Sequence, residues 1–229
     1  MRYHTVLFDA DNTLLDFTRA EHDALCECLA AFGLPHGEDA VARYSAINDG
    51  YWKRLERGEV TRAALQVKRF ADFAAEYGFD CDAALLAQKY MSALSTKSYL
   101  IPGAESLCRS LIPSCRLYLI TNGTGWIQHG RFDSCPLAPL FSAVFISGDM
   151  GCQKPERAYF DSVMSAIPEF EPADTLVVGD SLSSDIRGGI DAGLDTCWFN
   201  PHGKPMQPDI MPDFECRTLE EVGRIIRGE

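Results

Sequence analysis

Short apolar runs alternate with longer amphipathic stretches along the chain. Five runs rich in β-branched and aromatic residues predict strands, at residues 3–8, 116–120, 143–146, 175–178 and 196–199. Their near-continuous apolar character is typical of strands that are covered on both faces. Because helix-forming stretches separate the last four runs, we expect a parallel sheet with right-handed crossovers, which is an α/β fold. A strand around Phe214 and a helix from Leu219 complete the predicted chain.

About a hundred residues separate the first two predicted strands, which is too many for a simple crossover. This stretch is rich in Ala, Leu, Glu, Lys and Arg, and it predicts helices over 18–32, 38–57, 61–77 and 82–94. The sequence therefore predicts a helical subdomain over 17–95, inserted into a core formed by 1–16 and 96–229. The returning segment, 100–104, contains Pro102 and Gly103 and is predicted to be a hinge.

Composition excludes several classes of protein. The 229 residues include 21 Lys and Arg against 33 Asp and Glu, and the net charge of −12 disfavours a nucleic acid polymer as partner. No apolar run approaches the roughly 18 residues that a membrane span needs. Asp9 and Asp11 interrupt the only apolar run near the N-terminus, so neither a signal peptide nor a membrane partner is expected.

The nine cysteines are scattered, without a CxxC spacing, and this distribution favours the reducing environment of the cytoplasm. Cys26 and Cys28 lie two residues apart on a predicted helix, so they point to different faces. We interpret them as neutral or buried thiols rather than as metal ligands. The five histidines show no ligand spacing either.

Polar residues follow the first two predicted strands directly. Asp9 and Asp11 lie on the same side of their strand, where two carboxylates repel unless they share a cation, a proton or solvent. Taken alone, the pair is equally well explained as turn-forming aspartates. Thr121, Asn122 and Gly123 offer a hydroxyl and backbone N–H groups at a strand-to-helix turn, where anions bind, although an ordinary Asn-Gly turn explains them as well.

Charged residues also follow the third and fourth predicted strands. We predict that Pro155 occupies the first helical position, which would leave Lys154 at a helix start, where a cation is unfavourable without an anionic partner. A solvated lysine is the alternative. Asp180 ends the fourth strand and Asp185 follows about one helical turn later. Because ligands bind at the carboxyl edge of parallel sheets, we expect all four elements to form one site there.

These motifs, in this order, resemble those of the haloacid dehalogenase-like hydrolases: Asp9-x-Asp11-x-Thr13, Thr121, Lys154-Pro155 and Gly179-Asp180-x4-Asp185. The resemblance covers about residues 3 to 200, and the helical insert after the first motif is similar to the first cap class of that superfamily. It implies a Rossmann-like parallel sheet core with an inserted helical cap subdomain that acts as a mobile lid.

The resemblance also implies a role for each matched residue. Asp9 would attack phosphorus to form an aspartyl-phosphate, and Asp11 would act as the acid and base. The phosphoryl oxygens would be held by Thr121, Asn122, Gly123 and Lys154. Mg²⁺ would be bound by Asp9, the backbone carbonyl of Asp11 and Asp180, with Asp185 completing the metal site by orienting its waters. An acid at position 11 favours a phosphatase, because the dehalogenases have no leaving alkoxide to protonate.

The segment 48–61 is similar to the cap of the bacterial pyrimidine 5′-nucleotidases of this superfamily. This implies a Mg²⁺-dependent phosphomonoesterase that acts on pyrimidine nucleoside 5′-monophosphates. Tyr51 or Trp52 could stack on a base and Arg54 or Lys53 could meet a carbonyl, although for Trp52 packing within the cap is the favoured interpretation, because large aromatic side chains dominate core burial. Trp126 and Gln128, after the Thr121 turn, face the same choice.

Three other functions remain open at this point. The first is a sugar-phosphate or other small-metabolite phosphatase with the same core, and the others are a phospho-acceptor module and a metabolite-sensing module. For the favoured function the expected partner is a small phosphorylated metabolite, in the first place a pyrimidine nucleotide, and the expected assembly is a monomer or a small homo-oligomer.

Overall fold

A computed structural model describes residues 1–229. Its centre is a six-stranded sheet in which every strand pair is parallel, with the order β3-β2-β1-β4-β5-β6. This confirms the predicted α/β fold and puts the first strand of the chain in the middle. The strands are β1 (Thr5–Asp9), β2 (Arg116–Thr121), β3 (Ala143–Ile146), β4 (Thr175–Gly179), β5 (Asp195–Phe199) and β6 (Phe214–Cys216).

Ten helices surround or extend from this sheet. Four of them lie between β1 and β2 as the inserted cap: α1 (Phe17–Ala31), α2 (Glu38–Glu56), α3 (Arg62–Tyr77) and α4 (Ala83–Leu94). The other six belong to the core: α5 (Ala104–Leu111), α6 (Gly125–Asp133), α7 (Ser147–Met150), α8 (Arg157–Ala166), α9 (Arg187–Ala192) and α10 (Leu219–Arg227). None of them is long and apolar enough to cross a membrane.

Alternation along the strands gives the sheet two apolar faces. On β1, Val6 and Phe8 join a cluster of 24 buried residues that includes side chains of α5 and α10. Leu7 points the other way, into a separate cluster with Tyr159 and Phe160 of α8. Since both faces are covered, the strands read as continuous apolar runs, and only their ends are free to carry polar groups.

The cap has a separate apolar cluster of 16 buried residues, all of them from the cap except Ile127 of α6. Its centre is aromatic, and the Tyr44 ring lies 4.8 Å from Phe70 and 5.4 Å from Tyr90 between centroids. Local signals set the ends of α3: the Thr61 side chain accepts from the N–H of Ala64, and Gly78 ends the helix at φ 65°. The cap therefore packs largely independently of the sheet.

The chain crosses between core and cap twice, and the two crossings pair with each other. Leu15 and Leu100 form an antiparallel bridge, and the N–H of Asp16 donates to Tyr99 O at 2.9 Å. The N–H of Ile101 donates to Leu14 O at 2.9 Å. The segment predicted as a hinge thus begins at this two-stranded crossing, and its movement stays a prediction.

One local prediction was wrong. Pro155 does not begin a helix, because α8 starts at Arg157 with Glu156 as its N-terminal cap residue. Lys154 is therefore not held at a helix start. Instead, its side chain is 1% exposed and turns inward under the edge of the sheet, where its charge meets carboxylates.

All nine cysteines are free thiols. Cys28 is buried in the cap while Cys26 is half-buried, as expected for neighbours on different faces of α1.

Glycine contacts give a test of how tightly α9 packs against α8. A Cβ at Gly188 would overlap the ring of Phe160, whereas a Cβ at Gly50, inside α2, would meet no atom within 4 Å. We expect Gly188→Ala to lower the free energy of unfolding by about 1–3 kcal/mol. Gly50→Ala should raise it by about 0.5–1 kcal/mol through helix propensity. Denaturant unfolding of both variants checks the pair, and an equal effect at the two sites would contradict this packing.

Candidate active site at the carboxyl edge of the sheet

Neighbouring strands bring three carboxylates together at one edge of the sheet. Asp9 ends β1, and Asp180 follows β4, whose Val178 is the register partner of Phe8. Asp185 returns to the same point from the turn at Leu182–Ile186, so that carboxylate oxygens of all three aspartates lie within 4.8 Å of one another. Gly179 makes this possible, because a Cβ there would overlap the Asp185 carboxylate.

A buried ammonium group lies between two of these carboxylates. Lys154 Nζ donates to Asp9 Oδ1 and Asp185 Oδ1, both at 2.7 Å, and to the Ile120 carbonyl at 3.0 Å. Burial alone would lower the pKa of Lys154, but Asp185 and Asp9 outweigh burial and raise it. The lysine therefore stays charged, and it links the ends of three chain segments.

The Asn122 side chain fixes the backbone of this lysine. Its Nδ2 donates to Lys154 O at 2.8 Å, and its Oδ1 accepts from the Lys154 N–H at 2.9 Å. The turn after β2 thus positions the lysine that follows β3. Because the side-chain amide of Asn122 is bonded to the Lys154 backbone, the predicted contact of Asn122 with a phosphate would come from its backbone N–H.

The carboxylates repel one another, and their pKa values reflect this. Burial, followed by Asp185, raises the pKa of Asp9 well above its ordinary value, against the opposing effect of Lys154. Burial and Asp185 also raise the pKa of Asp180 to about 6, although Lys204 lowers it. One buried ammonium among three carboxylates leaves an excess of negative charge. An all-oxygen donor set of this kind fits a hard divalent cation such as Mg²⁺.

Asp9 has a further partner that fixes its orientation. The hydroxyl of Thr13 is fully buried and donates to Asp9 Oδ2 at 3.1 Å. Asp9 Oδ1 already accepts from Lys154, so both of its oxygens are held.

The side chain of Asp11 lies apart from this group and points toward α6. Its Oδ1 accepts from Arg131 Nη1 at 2.6 Å, and its Oδ2 accepts from Gln128 Nε2 at 3.0 Å. The same amide nitrogen donates to Thr121 Oγ1 at 2.7 Å. Asp11 is therefore next to the predicted phosphate-binding hydroxyl, while its carboxylate is outside the three-aspartate cluster.

Gly123, the remaining predicted phosphate donor, has a partner inside the protein. Its N–H donates to Ser147 Oγ at 3.1 Å, and Arg62 of the cap donates to the same oxygen at 2.8 Å. A contact from this N–H to a phosphoryl oxygen requires the bond to Ser147 to break.

The cap closes over the carboxylates and leaves a cavity of about 680 Å³. This volume is within the range of small-molecule sites. The cap contributes Asp49, Trp52, Lys53 and Glu56 to its wall. Glu56 accepts from the hydroxyl of Ser183 at 2.9 Å, so a side chain of the cap reaches the loop after β4.

Of the predicted cap residues, Trp52 and Lys53 line the cavity, but Tyr51 and Arg54 do not. Tyr51 is 6% exposed and its hydroxyl donates to Asp72 Oδ2 at 2.6 Å. The Arg54 guanidinium lies over the Tyr51 ring, 5.0 Å from its centroid. The expectation that these two meet a substrate is corrected, because the turn of α2 directs both toward α3 and the surface.

The two candidates after Thr121 also separate. Trp126 is 51% exposed and does not line the cavity, while Gln128 is buried beside Asp11.

Several residues of the site were missed by the sequence analysis. For Arg131 the sequence offers one indication: it follows the candidate Gln128 by three positions and so lies on the same face of the helix. Glu56 and Lys204 had none, because only the packing of the cap and of the loop after β5 brings them to the cavity.

Comparison with known proteins agrees with this site. The family model described as haloacid dehalogenase-like hydrolase matches residues 3–193. The HAD-hydrolase YfnB of Bacillus subtilis is 44% identical over 228 residues, which is 100% of this chain and 97% of YfnB. Its crystal structure bound to magnesium has a TM-score of 0.94 and covers 99% of both chains.

Two further relatives have more specific names. The pyrimidine 5′-nucleotidase PynA of Streptococcus pneumoniae is 36% identical, covering 97% of this chain and 94% of PynA. The pyrimidine 5′-nucleotidase YjjG of Escherichia coli is 29% identical, covering 99% of each. With the family model matching most of its length, the chain belongs to the haloacid dehalogenase-like hydrolases.

Proposed function

We propose that this hydrolase is a Mg²⁺-dependent phosphomonoesterase that acts through an aspartyl-phosphate on Asp9. The observation that carries the proposal is the position of the Asp9 carboxylate. It ends the central strand, is oriented by Lys154 and Thr13, and lies beside Asp180 and Asp185 on the wall of the cavity. A carboxylate in such a place is a suitable nucleophile for phosphoryl transfer.

In the first step, an oxygen of Asp9 forms a bond to phosphorus as the bond to the ester oxygen breaks. The leaving oxygen takes a proton from Asp11 and departs as an alcohol. Lys154 offsets the negative charge on the phosphoryl oxygens, and Lys154 and Thr121 together orient the phosphoryl group. Such in-line displacement depends mainly on positioning and on charge stabilisation.

In the second step, water gives a proton to the Asp11 carboxylate as its oxygen attacks the phosphorus. The bond between phosphorus and Asp9 then breaks. Inorganic phosphate leaves, and both aspartates return to their starting protonation states. Asp11 therefore serves first as acid and then as base, which is why it has to reach the cavity, as it does.

Asp9, Asp180 and Asp185 are the side chains that would hold Mg²⁺, together with the backbone carbonyl of Asp11. When bound, the cation supplies the positive charge that allows an anionic nucleophile to approach an anionic substrate. The structure of YfnB bound to magnesium supports this choice of metal.

The proposed substrate is a pyrimidine nucleoside 5′-monophosphate. The names of PynA and YjjG support this class, and so does Trp52, an aromatic ring on the cavity wall against which a base can stack. Lys53 lines the same wall and offers a donor to a base carbonyl.

A sugar phosphate is the second candidate substrate. The human N-acylneuraminate-9-phosphatase is 25% identical over 238 residues, and the cavity wall is rich in polar groups that suit hydroxyl-bearing substrates. For either substrate we expect the cytoplasm as the location, since nine free thiols are suited to a reducing compartment.

Replacing the nucleophile tests the chemistry. Asp9→Asn keeps the size of the side chain but replaces the carboxylate with a weakly nucleophilic amide, so we expect turnover to fall by at least about a thousandfold. Phosphate release under saturating substrate measures this loss. Asp161→Asn is the matched control, because Asp161 is an exposed partner of Arg157 on α8, and it should keep full activity. Substantial turnover by Asp9→Asn would remove the nucleophile assignment.

Titration with Mg²⁺ tests the proposed metal ligands. Chelation should abolish phosphate release, and added Mg²⁺ should restore it. Asp180→Asn should raise the Mg²⁺ concentration for half-maximal activity by about tenfold or more, because a ligand charge is lost. Asp49→Asn, on the cap side of the same cavity, should leave that concentration unchanged. Full activity of the chelated wild type would be inconsistent with the metal role.

The cap variant Trp52→Ala tests base recognition. It should lower kcat/KM for pyrimidine monophosphates by about tenfold, since base stacking is lost, while p-nitrophenyl phosphate is affected far less. Tyr51→Phe is the control, because that hydroxyl contacts Asp72 inside the cap and should not alter the ratio between the two substrates. Equal losses on both substrates for Trp52→Ala would mean that the ring only packs the cap.

A further inference from the structure

A buried arginine lies directly behind the proposed acid and base. Arg131, on α6, is 1% exposed, yet its partner Asp11 keeps 24% of its side chain exposed and lines the cavity. Arg131 Nη1 donates to Asp11 Oδ1 at 2.6 Å. This ion pair therefore has one end in the protein interior and the other on the wall of the active site.

The surroundings of Arg131 are built around this contact. The same Nη1 donates to Gln128 Oε1 at 2.9 Å, and the guanidinium lies over the Phe17 ring, 5.4 Å from its centroid. Nη2 is buried without a partner. Burying a guanidinium with an unsatisfied nitrogen is costly, so packing alone does not account for an arginine at this position.

Gln128 completes the orientation of the carboxylate. Its Nε2 donates to Asp11 Oδ2, so both oxygens of Asp11 are held from the same helix. Because this amide also donates to Thr121, the pair of side chains on α6 sets the distance between the acid and the phosphate-binding turn.

Arg131 also contacts the crossing between core and cap. Its Nε donates to the carbonyl of Lys97 at 3.1 Å, just before Tyr99, which pairs with Asp16. At this point α6 packs closely on the crossing, since a Cβ at Gly130 would lie 2.7 Å from the carbonyl oxygen of Ser95. The side chain that holds Asp11 is thus attached to the segment through which the cap is connected.

We propose that Arg131 is a positioning residue that fixes the Asp11 carboxyl group on the cavity wall, beside the phosphate-binding turn, where it serves the leaving oxygen of the substrate. The inference rests on the proposed phosphomonoesterase function, in which Asp11 protonates that oxygen. It adds a residue that does not touch the substrate and acts only through Asp11.

This role has a consequence that depends on the leaving group. A nucleoside is a poor leaving group, so the bond to phosphorus breaks only if the oxygen receives a proton. The p-nitrophenolate ion is stable without one. A displaced Asp11 should therefore slow the first step far more for the nucleotide than for the aryl phosphate, whereas the second step, in which Asp11 is the base, is common to both esters.

The test is steady-state kinetics of Arg131→Met with a pyrimidine nucleoside monophosphate and with p-nitrophenyl phosphate. We expect kcat/KM, which reports the steps up to departure of the leaving group, to fall by about ten- to a hundredfold for the nucleotide and by less than about threefold for the aryl ester. Arg131→Lys, which can still donate to Asp11, should recover part of the nucleotide rate.

Arg69→Met is the matched control. Arg69 is 4% exposed, donates to Asn48 Oδ1 at 2.6 Å inside the cap, and makes no bond to Asp11. Its loss removes a buried guanidinium of the same kind, so any change in rate should be the same for the two substrates. If Arg131→Met fails to fold, Gln128→Met removes the second contact of Asp11 without a charge change. It also removes the bond to Thr121, so we expect a loss shared by both esters and a further loss that only the nucleotide shows.

Equal losses on both esters in the Arg131 and Gln128 variants would overturn the positioning role and leave the proposed function intact. A wild-type protein that hydrolyses neither ester would instead overturn the proposed function, and the inference with it.

Discussion

The ammonium group of Lys154 is the interaction on which the rest of the site depends. It is nearly inaccessible to solvent and is shared between Asp9, at the end of β1, and Asp185, in the turn after β4. Without it, two buried carboxylates would lie side by side at the carboxyl edge of the sheet, and such an arrangement is stable only with a compensating charge. The side chain of Asn122, at the end of β2, is bonded to the backbone of the same lysine. One lysine therefore connects the ends of three strands.

Much of this core could be predicted because a parallel sheet collects the ends of its strands at one edge. Asp9, Thr121 and Asp180 each follow an apolar run, so their proximity follows from topology alone. The position of Lys154 was predicted by motif, while the helix start expected at Pro155 was wrong. A proline is compatible with several turns, and which of them forms depends on the packing of α8.

The cap was less predictable for a physical reason. Whether a residue of α2 faces the cavity depends on the rotation of that helix, which is set by contacts with α3 rather than by local sequence. Trp52 and Lys53 line the cavity, but the Tyr51 hydroxyl donates to Asp72 inside the cap. The role of Arg131 was not predicted either, because its partner Asp11 lies 120 positions earlier in the chain and only the tertiary fold brings the two together. The fold itself does not decide the chemistry. A protein named for a different reaction, the L-2-haloacid dehalogenase of Xanthobacter autotrophicus, shares this fold with a TM-score of 0.80 at 19% identity.

The central claim is that Asp9 takes the phosphoryl group from the substrate. Acid quenching during turnover of a monophosphate, followed by peptide mass spectrometry, tests it most directly because an acyl phosphate survives briefly in acid. We predict a phosphoryl group on the peptide that contains Asp9 and on no other peptide. Phosphate release without any phosphorylated peptide, or with the phosphoryl group on another residue, would contradict the account.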